Sequence, residues 1–148
     1  MKPRLSGKKR IMLCKLREEF GLDKEVDVRG YSPLTLAYIG DAVYDLIVRT
    51  YVVSKGNVPN KNLHNETIRH VSAVAQARLV DNIIDELSEE EAAVYRRGKN
   101  SKPSSMAKNA SQKEYLKATG FEALIGYLFL EGRDDRIFEL VSRELKEV

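Results

Sequence analysis

Acidic side chains stand in two segments otherwise made for burial. In LAYIGDAVYDLIVR, residues 36 to 49, Asp41 and Asp45 interrupt an apolar run; in FEALIGYLFL, residues 121 to 130, Glu122 is the only charge. An unpaired carboxylate withdrawn from water is costly and tends to take up a proton. Three arrangements relieve it: a wet rim, an ion pair with Lys or Arg, or a divalent cation. The bases nearest these acids are Arg49 and Lys117. Two acids brought together from separate helices would suit Mg²⁺, which prefers oxygen ligands and keeps several waters. The competing arrangement is a pair of ordinary salt bridges at the edge of the core. Each acid also has a glycine close by, Gly40 beside Asp41 and Gly126 one turn after Glu122. Glycine inside a helix costs up to about 1 kcal/mol relative to alanine, and close approach of two backbones is a common reason to keep it.

The elements that must position these acids read as helices throughout. Ser32 and Pro33 form a helix start, and that helix is expected to reach about Ser54, with Gly56 closing it. On a helical wheel, Leu36, Ile39, Val43, Leu46 and Ile47 share one side. Asp41 falls opposite, among Ala37, Tyr38, Tyr44, Asp45 and Val48, so the helix is predicted to be central and packed on both sides. NKNLHNETIRHV reads as a short helix, and SAVAQARLVDNIIDEL as another with Val74, Ala77, Leu79, Val80, Ile83, Ile84 and Leu87 at helical spacing. SEEEAAVYRRG opens with a capping-box pattern and is expected to end at Gly98. KNSKPSSMAKNAS has no period and reads as a loop. The helix bearing Glu122 should run from Gln112 to Gly132, followed by an amphipathic helix with Ile137, Leu140, Val141 and Leu145 on one face. No alternating strand pattern or internal repeat is present, so the fold class is all-α.

At 148 residues the chain can bury one core. Two parts are expected: a basic extension over residues 1 to 30, holding a short helix near residues 8 to 20, and a domain over residues 31 to 148. No apolar run approaches the length of a membrane span, and IMLC is too short for a signal-peptide core. Cys14 stands alone, which excludes a disulfide framework or a cysteine metal site. A cytoplasmic location is the expectation. The net charge of +3 conceals two basic stretches without a single acid: seven Lys or Arg within residues 1 to 17, and six within residues 92 to 113 (Arg96, Arg97, Lys99, Lys102, Lys108, Lys113). Basic segments on an acidic body point to a polyanion partner, against the plainer reading of a solvated tail and loop.

With these residues in view, LAYIGDAVYDLIV resembles the signature of the ribonuclease III family, Glu-x-x-Glu-(Phe/Tyr)-(Leu/Ile)-Gly-Asp-Ala-Val-x-(Asp/Glu)-Leu. ATGFEALIGYLFLEG resembles the family's second acidic motif, Asp-x-x-Glu-Ala-Leu-Ile-Gly-Ala-x-(Tyr/Phe)-Leu. The resemblance covers roughly residues 32 to 146. VSAVAQA, YRRGKN and FEALIGYL look like the Mini-ribonuclease III branch, the short bacterial form without a double-stranded-RNA-binding domain. The resemblance implies a homodimer of helical domains holding duplex RNA in a valley, with Mg²⁺ on Asp41 and Glu122 as metal ligands and catalytic residues. It implies hydrolysis leaving 5′-phosphate and 3′-hydroxyl ends, and as substrate the two ends of the 23S ribosomal RNA precursor, with a large-subunit ribosomal protein as a further partner.

Two family acids are missing, replaced by Ala37 and Thr119. Their loss fits the reduced branch; it also fits the alternative, a non-catalytic duplex-RNA-binding or ribosome-associated module of the same fold. Asp45 is expected to be structural or dimer-related. His64 and His70, six residues apart, are expected at the surface or facing RNA rather than in catalysis. The six cations from Arg96 to Lys113 are the expected RNA grip, with the N-terminal segment as a second contact.

Overall fold

The computed structural model describes residues 11–23, 27–101 and 112–146, and the side chains of all of these except residues 11 and 146. Seven α-helices follow one another: α1 Ile11–Glu19, α2 Pro33–Ser54, α3 Asn60–Val71, α4 Ala73–Ile83, α5 Glu89–Lys99, α6 Gln112–Leu130 and α7 Asp134–Lys146. Short 3₁₀ turns at Val28–Gly30 and Ile84–Glu86 complete the described secondary structure. The all-α expectation holds among the described residues, none of which forms a strand.

Local chemistry sets the helix ends. Ser32 Oγ accepts from the backbone N–H groups of Leu34 and Thr35, with Pro33 in the first turn of α2. Ser88 and Glu91 close a reciprocal capping box on α5. Gly21 and Gly132, just past α1 and α6, adopt positive φ of 74° and 75°. Gly98 does not end α5, as its position in the sequence suggested. It lies within the helix, where a Cβ would come within 2.7 Å of the Ala123 methyl and 2.9 Å of the Gly120 Cα. Its smallness serves the contact between α5 and α6.

The central element is α6. From Ala118 to Leu130 every residue is buried except Glu122. α2, α4, α5 and α7 pack around it, and side chains such as Phe121, Leu124 and Leu128, fully enclosed, each contribute roughly 1.5–3 kcal/mol. The expectation that α2 is packed on both sides is corrected. One side is buried through Leu36, Ala37, Gly40, Val43, Tyr44, Val48 and Val52. Leu34, Tyr38, Leu46 and Val53 remain exposed along the other. In α4, Ala77, Leu79, Val80 and Ile83 are buried as expected, whereas Val74, and Ile84 in the 3₁₀ turn that follows, are exposed. The predicted face of α7 is buried in full.

Candidate functional site: two carboxyls at a glycine crossing

α2 and α6 cross in near van der Waals contact of their backbones. A Cβ on Gly40 would overlap the Glu122 carbonyl oxygen and lie 2.7 Å from the Gly126 nitrogen. A Cβ on Gly126 would overlap the Leu36 carbonyl oxygen. As α2 advances from residue 36 to 40, its partner on α6 recedes from 126 to 122, so the helices run antiparallel at this point. The edge-to-face contact of Tyr44 and Phe121, with ring centroids 5.0 Å apart, supports the same register. Any side chain at either glycine would hold the helices apart.

This crossing brings Asp41 and Glu122 together. Asp41 is exposed and Glu122 half-buried. Asp41 adjoins Gly40, whose Cα meets the Glu122 backbone, and burial, followed by the neighbouring Asp41 carboxyl, pushes the Glu122 carboxyl up to about 9. The two predicted bases are engaged elsewhere: Arg49 Nε is 2.8 Å from Asp45 Oδ2, and Lys117 Nζ is 2.8 Å from Asp81 Oδ1. Among the described residues, no Lys or Arg pairs with Asp41 or Glu122, so the salt-bridge reading of these acids loses its partners. The arrangement lacks positive charge and presents oxygen donors, which is what a hard divalent cation requires. The residues present therefore fit such an ion. Among the described residues no group of three or more His, Cys, Asp or Glu converges to hold a metal. Ala37 is buried and apolar, and the buried Thr119 hydroxyl donates to the Tyr115 carbonyl at 3.0 Å.

A third group at this site was absent from the sequence reading. Gln76, in the first turns of α4, is only 2% exposed, and its amide N–H side lowers the Glu122 carboxyl, partly offsetting burial and Asp41. Its place in VSAVAQA was visible, but a lone Gln in a helix carries no chemical signature.

The remaining expected residues divide. Arg96, Arg97 and Lys113 are exposed, and Lys99 is half-buried. Arg96 and Arg97 line a surface depression with Pro33, Ala93, Asn100 and Ser101. Lys102 and Lys108 lie outside the described residues. Of the basic N-terminal segment, Arg17 is not available to a polyanion. It is 7% exposed, forks onto Asp134 with two 3.0 Å bonds, and lies 5.0 Å over the Phe129 ring. His64 is exposed, but His70 is buried, contrary to expectation: it packs edge-on against Tyr51, and its carbonyl accepts from the Tyr44 hydroxyl.

Residues 34–133 match the Ribonuclease III domain. The chain is 46% identical to Mini-ribonuclease 3 of Clostridium tetani over 128 residues, covering 86% of this chain and 83% of that one. It is 42% identical to Mini-ribonuclease 3 of Enterococcus faecalis over 124 residues, covering 82% and 94% respectively. A crystal structure of a Fusobacterium nucleatum protein superposes with a TM-score of 0.74 at 32% identity, covering 81% of this chain and 92% of that chain. Domain, relatives and fold agree with the two acidic motifs at the helix crossing: the chain belongs to the ribonuclease III family, in its Mini-ribonuclease 3 branch, and is an endoribonuclease.

Proposed function

We propose that this endoribonuclease cleaves double-stranded RNA with Mg²⁺ held by Asp41 and Glu122, and that it matures the 5′ and 3′ ends of the 23S ribosomal RNA precursor in the cytoplasm. The observation that supports the metal-dependent part is the placement of Asp41 and Glu122 side by side at the Gly40/Gly126 crossing, where burial and Asp41 raise the Glu122 carboxyl. When bound, the ion neutralises charge building on the phosphate oxygens and makes an attacking water more acidic. The chain's own part is positional. The Gly40/Gly126 crossing fixes the distance between the acids; Asp41 offers its carboxylate from the solvent side. To hold the ion, Glu122 would have to give up its proton, so loading would release one. Hydrolysis of the phosphodiester then leaves a 5′-phosphate and a 3′-hydroxyl.

The active form is a homodimer. The exposed apolar stripe of α2, with Tyr38 75% and Leu46 55% accessible, supports a partner on that face. Arg96, Arg97, Lys99, Lys102, Lys108 and Lys113 hold duplex RNA, whose A-form shape is met mainly through phosphates and 2′-hydroxyls. The support for the ribosomal substrate, and for a large-subunit ribosomal protein as partner, is the family resemblance.

The test is incubation of purified protein with a 23S precursor duplex, with and without Mg²⁺, followed by mapping of the ends. Cleavage at both mature ends only with Mg²⁺ is expected, and Asp41→Asn should bind the duplex without cutting it. Metal-independent cutting, or full activity of Asp41→Asn, refutes the metal assignment.

A further inference from the structure

Phosphodiester hydrolysis can run on one divalent ion or on a pair about 3.5–4 Å apart. Which of the two a protein can hold depends on how many anionic oxygens it supplies. Asp41 and Glu122 stand side by side where Gly40 and Gly126 let α2 and α6 touch. The positions around them add no further charge. Ala37, one turn before Asp41, is a buried methyl. Thr119, on the turn before Glu122, is buried and neutral, and its hydroxyl donates to the Tyr115 carbonyl at 3.0 Å. Asp45, one turn after Asp41, is drawn to Arg49, whose Nε donates to its Oδ2 at 2.8 Å. Asp81 on α4 is held by Lys117 at 2.8 Å. Among the described residues no third His, Cys, Asp or Glu joins the pair.

Outside the described residues, only Glu25 and Glu147 have carboxylate side chains, and the segment 102–111 leading into α6 has none. Asp23 and Asp27, on either side of Glu25, line a cleft with Leu130, Glu131 and Arg133. That cleft lies about 12 Å or more along α6 from Glu122. Two carboxylates neutralise one divalent ion in full. A second ion beside it would find no further anion on the chain and would be repelled by the first, double charge against double charge. We propose that each chain holds a single catalytic divalent ion, on Asp41 and Glu122 alone, with its other coordination positions left to water and to the phosphate that is cut. The inference rests on the reading of Asp41 and Glu122 as the cation site and fixes the capacity of that site. Ala37 and Thr119 then limit how many ions the site holds rather than abolish it.

The experiment is a Mn²⁺ titration of the full chain without RNA, followed by loss of the free-ion electron paramagnetic resonance signal. Salt at about 0.15 M screens ions held loosely by exposed acids. The ions bound by the unmodified chain beyond those bound by Asp41→Asn, whose side chain is exposed, give the capacity. One per chain is expected. Two per chain, or one shared by two chains, overturns the proposal. Asp45→Asn tests the nearest competing carboxylate. It should bind the same single ion with an affinity within about threefold of the unmodified chain, and a larger loss makes Asp45 a third ligand and overturns the proposal. A different failure marks the underlying reading. If Asp41→Asn binds as many ions as tightly as the unmodified chain, or if the latter binds none, the two-carboxyl site itself is wrong and its capacity falls with it.

Discussion

Glu122→Gln should make the metal-free protein more stable while destroying its activity, and the gain should grow with pH. In the folded chain the Glu122 carboxyl is pushed up to about 9 by burial and by Asp41, from an ordinary value of 4.5. The folded state therefore keeps a proton that the unfolded state gives up anywhere between those values. A carboxyl raised on folding makes its full contribution below pH 4.5 and loses it as pH rises toward 9. Each pH unit in that window is worth about 1.4 kcal/mol, so from pH 5 to pH 8 the unscreened loss is about 4 kcal/mol. Asp41, the charge responsible for part of it, is exposed, and screening reduces the loss to about 2 kcal/mol. The amide that replaces the carboxyl in the variant cannot ionise and lacks this slope. For a domain of this size, about 2 kcal/mol corresponds to a Tm difference of about 4–8 °C.

The assay is thermal unfolding of both chains in chelator at pH 5, 6.5 and 8. The curves should nearly coincide at pH 5, and the variant should melt later by that margin at pH 8. Adding Mg²⁺ at pH 8 should raise the Tm of the unmodified chain and leave the variant unmoved. If the difference between the two chains is the same at pH 5 and pH 8, the Glu122 carboxyl is not raised by burial and by Asp41, and the reading of Glu122 as a half-buried acid beside Asp41 is refuted.

Gly126→Ala gains up to about 1 kcal/mol of helix propensity but drives a methyl into the Leu36 carbonyl. Denaturant unfolding should show a net loss of about 1–3 kcal/mol, and cleavage should fall further than the folded fraction, because the carboxyls move apart; a stabilised variant would contradict the contact. Arg136→Met strands Glu91, which is fully buried and held by two 2.8 Å bonds from that guanidinium. A loss of about 3–5 kcal/mol is expected on chemical denaturation, with much of it recovered in the double variant with Glu91→Gln. The same Arg136 bonds hold the Glu91 carboxyl below the usual range, so the stability it contributes is present above pH 4.5 and lost as pH falls through that lower value. Replacing Arg96 and Arg97 together with Ala should weaken duplex binding about equally across sequences and reduce the slope of log affinity against log salt by up to about 2; an unchanged slope in a binding titration removes them from the RNA surface.

The sequence by itself determined the helices, their caps and the two acids worth watching, because these are local matters. Ser32 with Pro33 starts α2, Ser88 with Glu91 starts α5, and Asp41 and Glu122 are conspicuous in apolar surroundings whatever the rest of the chain does. The family motifs added the expectation that the two acids meet. What tertiary structure decided is which surfaces face one another. A helical wheel shows a stripe but not its partner, so α2 was expected to be enclosed, whereas α6 is, and Tyr38 and Leu46 stay exposed. Gly98 read as a helix end and proved to be a contact with Ala123 and Gly120, on the next long helix. His70 and Arg17 are polar types expected near water, yet both are buried by partners distant in sequence, Tyr44 for one and Asp134 for the other. Gln76 is the sharpest case. Its burial, and the bond from its Nε2 to the Val71 carbonyl, come from α4 packing against α6, which no local pattern shows. Local propensity is written in neighbouring residues; burial and pairing are fixed only when remote segments close on each other.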